Sequence, residues 1–175
     1  VDDAIQKLSG DAKVLAGGHS LIPALKLRLA QPEKLVDIGR IAALKGISAN
    51  GNLSIGATTT HAEIAASADV QSMCSALASA CGKVGDPQVR NFGTLGGNIA
   101  HADPASDPPT VLVAAGATIK IQGASGSRSV AATDFFIDLF TTDLADGELV
   151  TGVDIPNLSG RKMAYAKLSH PASRY

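Results

Sequence analysis

The sequence predicts an α+β fold, and two observations carry the prediction. Residues 13–38 run strand, Gly-Gly turn, helix and strand, the order that builds a small parallel sheet. From Leu53 onward, short strands separated by glycine turns call for a second, mainly antiparallel sheet with helices against it. At 175 residues the chain is one domain by size, with room for two lobes, and its 45% hydrophobic content is enough for a substantial core.

In chain order, Ile5 and Leu8 share one side of a short amphipathic helix over residues 1–8, with Asp2 and Asp3 where the helix dipole favours them. Residues 13–16 form an apolar strand entering Gly17-Gly18. Ser20 is placed to cap a helix over 21–30, whose Pro23 falls in the tolerant first turn. Pro32 ends that helix and residues 34–38 form the next strand. Residues 41–47 are a transition, Gly51-Asn52 a turn, and 53–57 a strand of the new sheet. Thr60 and Glu63 make a capping box for a helix over 61–66. One longer helix is expected over 70–81, with Met73, Leu77 and Cys81 along its inner stripe.

Gly82 and Gly85-Asp86-Pro87 end that helix and open a central loop. Residues 93–108 are so rich in Gly, Asn, Ser, Asp and Pro that neither helix nor strand is expected there. A short apolar helix over 110–115 follows Pro108-Pro109. Residues 118–121 and 128–130 flank the turn 123–126 and predict a hairpin. Residues 134–140 read as an apolar connection, and 148–155 and 162–167 as antiparallel strands around a turn at Gly160.

Composition removes several function classes. Fifteen basic against sixteen acidic residues leave a net charge of −1, so there is no electrostatic footprint for nucleic acid or anionic lipid. Aromatic residues make up 3%, too few for base-stacking platforms, and no apolar run is long enough to span a membrane. Cys74 and Cys81 match no metal-ligand spacing and read as reduced core thiols of a cytoplasmic protein; no signal peptide is visible. The patterns G-x-G-x-x-G, G-x-x-x-x-G-K-[ST] and G-x-S-x-G are all absent. His19, His61, His101 and His170 show no metal spacing. His101 and Asp103 could form an acid–base pair, against the plainer reading of a solvated loop histidine. No catalytic residue and no metal site is assigned, so chemistry has to come from a bound cofactor.

The functional signal is a pair of Gly-Gly loops, Ala16-Gly17-Gly18-His19-Ser20 and Gly93-Thr94-Leu95-Gly96-Gly97-Asn98. Glycine pairs let backbone N–H groups turn toward a ligand, and Thr94, Asn98, Ser106 and Asp107 surround the second loop with short polar side chains. Such loops suit a diphosphate and sugar hydroxyls; a tight turn without ligand is the alternative for the first. Arg90 is either a phosphate ligand or an exposed structural arginine.

Ala16-Gly17-Gly18-His19-Ser20-Leu21-Ile22-Pro23, the run Gly56-Ala57-Thr58-Thr59-Thr60-His61-Ala62-Glu63-Ile64 and Thr94-Leu95-Gly96-Gly97-Asn98-Ile99 together resemble one family. It is the FAD-binding subunit or domain of molybdenum hydroxylases, as in aerobic-type carbon monoxide dehydrogenases and xanthine dehydrogenases. The resemblance implies an α+β, two-lobed fold of the vanillyl-alcohol oxidase type: a small lobe over 1–45, a larger lobe over 46–167, and residues 168–175 as the start of a further domain. It implies FAD as cofactor. Ala16, Gly17, Gly18, His19 and Ser20 would wrap the diphosphate with Leu21 beside them. Thr94, Gly96, Gly97 and Asn98 would complete the cradle, Gly97 with its backbone near φ > 0. Thr58 would border the cofactor and Asp107 would accept hydrogen bonds from it. Val150 matches an apolar flavin-packing position and Lys167 a lysine near the ring's polar edge. The implied function is electron transfer from the clusters of an iron–sulfur small subunit, with a molybdenum-cofactor large subunit upstream, to an external acceptor. A free-standing flavin oxidase and a flavin-less assembly module are the other readings.

Overall fold

A computed structural model describes residues 1–170 and 172. The chain opens with α1 (Asp2–Lys7), β1 (Ala12–Leu15), α2 (Leu21–Lys26) and β2 (Lys34–Asp37). β1 and β2 pair in parallel, with Val14 opposite Val36. This unit closes on its own apolar cluster, in which Ala4, Ile5 and Leu8 of the first helical segment meet Val36, Ile38, Leu44 and Leu149. Ser20 precedes α2 but makes no capping hydrogen bond, and α2 ends at Lys26 rather than near residue 30. Arg28, at φ 57°, reverses the chain in a left-handed conformation that no continuing helix permits.

A short 3-10 turn, Ala42–Leu44, leads into β3 (Ile47–Asn50) and β4 (Asn52–Gly56), joined by Gly51 at φ 83°. The remaining strands of this sheet are β5 (Thr118–Gly123), β6 (Gly126–Ala131) and β9 (Leu149–Ile155). They order as β3-β4-β9-β5-β6, every pairing antiparallel. The last strand in sequence is thus the central one in space, and it is buried along nearly its whole length. The sequence reading named β4, the hairpin and β9 but left β3 unassigned, because its Ser-Ala-Asn stretch has little strand character of its own. The same reading placed a strand at 162–167. That segment has no ladder partner among the described residues, and side-chain bonds fasten it instead.

Helices cover one side of this sheet: α3 (His61–Ala66), α4 (Ala68–Met73), α5 (Ser75–Lys83), α6 (Pro87–Phe92), α7 (Leu95–His101) and α8 (Asp107–Ala114). The predicted capping box of α3 is present, Thr60 accepting from the Glu63 N–H and Glu63 accepting from the Thr60 N–H. The single helix expected over 70–81 is two, because Cys74 (φ −151°, ψ 68°) leaves the helical region. The break frees the Met73 carbonyl to accept from the Leu158 N–H at 3.2 Å, and Met73, Leu77 and Cys81 still face the core. Between α8 and β9 lie β5, β6, α9 (Ala132–Phe135), β7 (Phe136–Asp138) and β8 (Thr141–Thr142), where the sequence suggested only a connection over 134–140.

The largest correction concerns the central loop. Residues 95–101 are helical, Thr94 capping α7 by accepting from the Gly97 N–H at 3.2 Å, and Asp86 caps α6 in the same way through Val89 at 3.0 Å. Composition pointed to an open loop, but the cap, the contact with Ala57 and packing against β9 outweigh the low helix propensity of a glycine pair, roughly 1 kcal/mol per glycine. The Gly96 N–H donates to the Ala57 carbonyl at 2.8 Å, and the Leu95 N–H to that of Thr59 at 3.0 Å.

Of the residues expected to begin a further domain, 168–175, Pro171 and Ser173, Arg174 and Tyr175 lie outside the described set. No described helix is long and apolar enough to cross a membrane.

Two glycine substitutions separate tight packing from helix propensity. A Cβ on Gly96 would stand 2.5 Å from the Ala57 Cβ and 2.8 Å from its Cα, so Gly96→Ala should destabilise the fold by about 1–3 kcal/mol. A Cβ on Gly82, in the last turn of α5, would meet only the Ala65 Cβ at 3.8 Å. Gly82→Ala should therefore stabilise by about 0.4–1 kcal/mol. Urea unfolding of the two variants checks both signs.

Candidate functional site

The two Gly-Gly segments, far apart in sequence, meet at one cleft of about 790 Å³, within the range that small-molecule and cofactor sites occupy. Their contact is backbone on backbone. A Cβ on Gly17 would lie 2.0 Å from the Phe92 carbonyl oxygen and 3.0 Å from the Gly93 Cα, so only glycine fits. Gly18 follows at φ 73°, the left-handed region glycine enters without penalty. The His19 ring stacks on Phe92, centroids 5.5 Å apart and planes 11° apart, and its Nδ1 lies 3.1 Å from the Gly17 carbonyl oxygen.

The two segments differ in what their N–H groups do. In α7 the first three are engaged, by Thr59, Ala57 and the Thr94 hydroxyl. In the β1–α2 loop, the N–H groups of Gly17, Gly18, His19, Ser20 and Leu21 meet no protein acceptor among the described residues. A run of such donors along a cleft is a seat for an anion. Gly97 is helical rather than at positive φ. Its constraint is space: a Cβ there would stand 2.9 Å from the Thr94 hydroxyl and 3.7 Å from the Ala16 Cβ, on ground the cleft uses.

Ala16, Gly17, Gly18, His19, Ser20 and Leu21 all line the cleft, as do Thr94, Gly96, Gly97, Asn98, Asp107, Val150 and Lys167. Thr58 does not. It is buried, and its hydroxyl donates to the Leu44 carbonyl at 2.9 Å, so it braces the turn behind the cleft wall. Asn98 accepts at Oδ1 from the Ser106 hydroxyl at 2.6 Å. Asp107 is held from two sides, by Lys167 Nζ at 2.8 Å from Oδ2 and by the Tyr165 hydroxyl donating to Oδ1. Both members of the ion pair are nearly buried, with side chains 7% and 10% exposed. Lys167 Nζ also donates to the Lys83 carbonyl at 3.1 Å, and Lys83 Nζ to that of Tyr165 at 3.2 Å, which ties residues 165–167 to the end of α5. Burial and the Asp107 carboxylate push the Tyr165 hydroxyl well above its ordinary pKa.

Arg90 is structural, donating from Nη1 to the Val84 carbonyl at 3.0 Å and to that of Gly85 at 3.4 Å. His101 and Asp103 both line the cleft, but the His101 ring packs on Phe140, 5.2 Å between centroids, while Asp103 accepts from the Ala105 N–H at 2.9 Å. No described His, Cys, Asp or Glu cluster is arranged to hold a metal, and Cys74 and Cys81 are buried free thiols whose pKa values burial raises.

Ala57 and His61 also line the cleft, and no role was read for either from sequence. His61 opens α3, its N–H donating to the Gly93 carbonyl at 3.0 Å. The residue is 2% exposed, and Nδ1 has no hydrogen-bond partner among the described residues. A buried polar atom left unpaired costs about 1–3 kcal/mol. Burial lowers its pKa to about 4, with Asp107 pulling upward and His19 adding to the fall, so the ring is neutral near pH 7. The signal was present in the run of three threonines before it, which placed a capped helix start without saying what its first side chain faces.

The cleft's residues fit FAD: unpaired N–H groups for an anionic diphosphate, glycines where a Cβ would intrude, and a lining that includes apolar Val150 and the Lys167–Asp107 pair. Residues 1–158 match the family model described as the FAD binding domain in molybdopterin dehydrogenase. The chain is 46% identical to the glyceraldehyde dehydrogenase medium chain of Sulfolobus acidocaldarius, covering 100% of this chain and 63% of that one. It is 44% identical to the carbon monoxide dehydrogenase medium chain of Hydrogenophaga pseudoflava, over 93% of this chain and 57% of the relative. Among solved structures, a Cu,Mo-CO dehydrogenase matches with a TM-score of 0.93 at 39% identity, covering 97% of this chain and 61% of that chain. The chain thus spans about three-fifths of the length of these curated relatives.

His61 also gives the fold an acid sensitivity. Its ring takes up a proton in the unfolded chain near pH 6.5 but in the folded protein only near 4, so stability falls as pH drops through that window. His61→Leu removes the penalty. Urea unfolding at pH 7 and pH 4 should show the variant gaining about 3 kcal/mol on the parent across that interval.

Proposed function

The chain belongs to the family of FAD-binding domains of molybdopterin dehydrogenases, and from that premise we propose that it is the electron-transfer flavin unit of a multi-subunit molybdenum hydroxylase. On this reading it receives electrons from the iron–sulfur clusters of a small partner subunit, with a molybdenum-cofactor large subunit upstream, and delivers them to an external acceptor. The observation that carries the reading is the cleft lined both by the β1–α2 loop, whose five N–H groups at 17–21 have no protein acceptor among the described residues, and by the N-terminal half of α7. The names of the relatives add to it: medium chains of two dehydrogenases, and a xanthine dehydrogenase FAD-binding subunit of Escherichia coli that is 30% identical.

Bound FAD supplies a redox centre that accepts and releases electrons singly or in pairs. The protein's part is to bind and orient it. The N–H groups of residues 17–21 would hold the diphosphate, and Gly97 leaves room beside Ala16 for it to pass. Val150 offers an apolar surface to the ring. Lys167, fixed by Asp107, presents a cation that cannot swing away, because its partner is anchored by Tyr165 as well. With this assignment goes a division near residue 45, the small parallel unit on one side of the cofactor and the large sheet and its helices on the other. A cytoplasmic setting is consistent with two free, buried thiols.

An FAD titration followed by absorbance tests the reading. The parent should bind FAD, and Gly97→Val should bind it roughly tenfold to hundredfold more weakly, the penalty of forcing a branched side chain into filled space. Gly51→Asn, in the β3–β4 turn away from the cleft, should bind as the parent does. A parent that takes up no FAD contradicts the assignment. The complete protein isolated from its host should carry iron and molybdenum in companion subunits, whereas flavin without either metal would point to a free-standing oxidase.

A further inference from the structure

Among the polar side chains that line the cleft, His61 is a buried one that the assignments above do not employ. His61 is fixed in place: the capping box at Thr60 and Glu63 sets the start of α3, and the His61 N–H is bound to the Gly93 carbonyl at 3.0 Å. Its ring lies under Gly93, with Cδ2 3.0 Å and Nε2 3.3 Å from the point where a Cβ on that residue would stand. Any other residue at 93 would press on the ring, so the glycine lets the Cδ2–Nε2 edge lie close beneath it at the cleft that both residues line. The opposite nitrogen, Nδ1, is shut away from solvent with no partner among the described residues. In a neutral ring one nitrogen bears the proton and the other is a bare acceptor. The arrangement that leaves the bare acceptor in the closed position puts the proton on Nε2, facing Gly93 and the cleft.

We propose that His61 is a cofactor-binding residue, a neutral imidazole whose Nε2–H donates to an oxygen of the dinucleotide's diphosphate between the two Gly-Gly segments. The proposal rests on the FAD assignment and adds to it a donor from a third segment of the chain. Three segments then converge on the anion: the β1–α2 loop with its N–H groups, the start of α7 with its bare glycine, and the start of α3 with an imidazole from below. The neutral state suits the position. A protonated ring there would need a partner for each nitrogen, and Nδ1 has none.

The experiment combines binding with a spectroscopic readout on the full chain. FAD and ADP are titrated into the parent, His61→Leu and His61→Gln, and the imidazole nitrogens of the parent are followed by NMR during both titrations. His61→Leu should weaken both ligands about tenfold, the loss of one hydrogen bond to a charged acceptor. His61→Gln, which can offer an Nε2–H at similar reach, should recover most of that loss. The parent spectrum should show the Nε2–H form before addition and a shift of that nitrogen with either ligand. Equal affinity for parent and His61→Leu overturns the proposal while leaving the FAD assignment standing, and so does an Nε2 signal that FAD does not move, a readout that holds even if the leucine variant fails to fold. Absence of FAD binding by the parent overturns both.

Discussion

The site depends on one contact: the Gly17 backbone lies against the Phe92 carbonyl closely enough that a Cβ would be 2.0 Å from that oxygen. No side chain intervenes, so the distance between the small parallel unit and the helical layer is set by main chain alone. Main chain is the stiffest spacer available, since it has no rotamers to change. The stacking of His19 on Phe92 adds a second, softer link beside the first. Everything the cleft offers is measured from this junction.

Glycine serves three different ends around it. Gly18 supplies a left-handed turn, Gly17 and Gly96 permit close backbone approach, and Gly97 leaves empty space on the cleft side. From the sequence these look alike, as two Gly-Gly pairs. The structure separates them, and with them the division of labour between the loops. The α7 segment spends its leading N–H groups on Thr59, Ala57 and its own cap, so it contributes shape. The β1–α2 loop leaves the N–H groups of residues 17–21 without a protein acceptor among the described residues, free to donate to a ligand.

Much of this was legible before any coordinates. The capping box at Thr60, the parallel β1–β2 pair and the hairpin at 123–126 follow from local rules, because each is decided by residues a few positions apart. The misreadings share a cause. Whether 95–101 coils or winds into a helix is decided with Ala57 and Thr59, and the break at Cys74 in the helix expected over 70–81 leaves the Met73 carbonyl to a partner some eighty residues on, Leu158. The sequence suggests a strand at 162–167 paired across a turn at Gly160, yet among the described residues no strand receives it, and Lys167 reaches Asp107 instead. For the cleft, the motifs brought out the glycines and the polar residues around them. The role we propose for His61 is hidden in the sequence because burial and an unpaired nitrogen are properties of a packed ring, not of a residue type. Thr58 shows the reverse case, a motif residue whose hydroxyl turns away from the cleft to hold Leu44.

The central claim is that the unpaired N–H groups of the β1–α2 loop are what hold the cofactor. Amide hydrogen exchange with and without saturating FAD measures this directly. Residues 17–21 should exchange rapidly in the free protein and become strongly protected when FAD is bound, while Leu95 and Gly96, already bonded, change little. Flavin bound at saturation with residues 17–21 still exchanging as in the free protein would contradict the account.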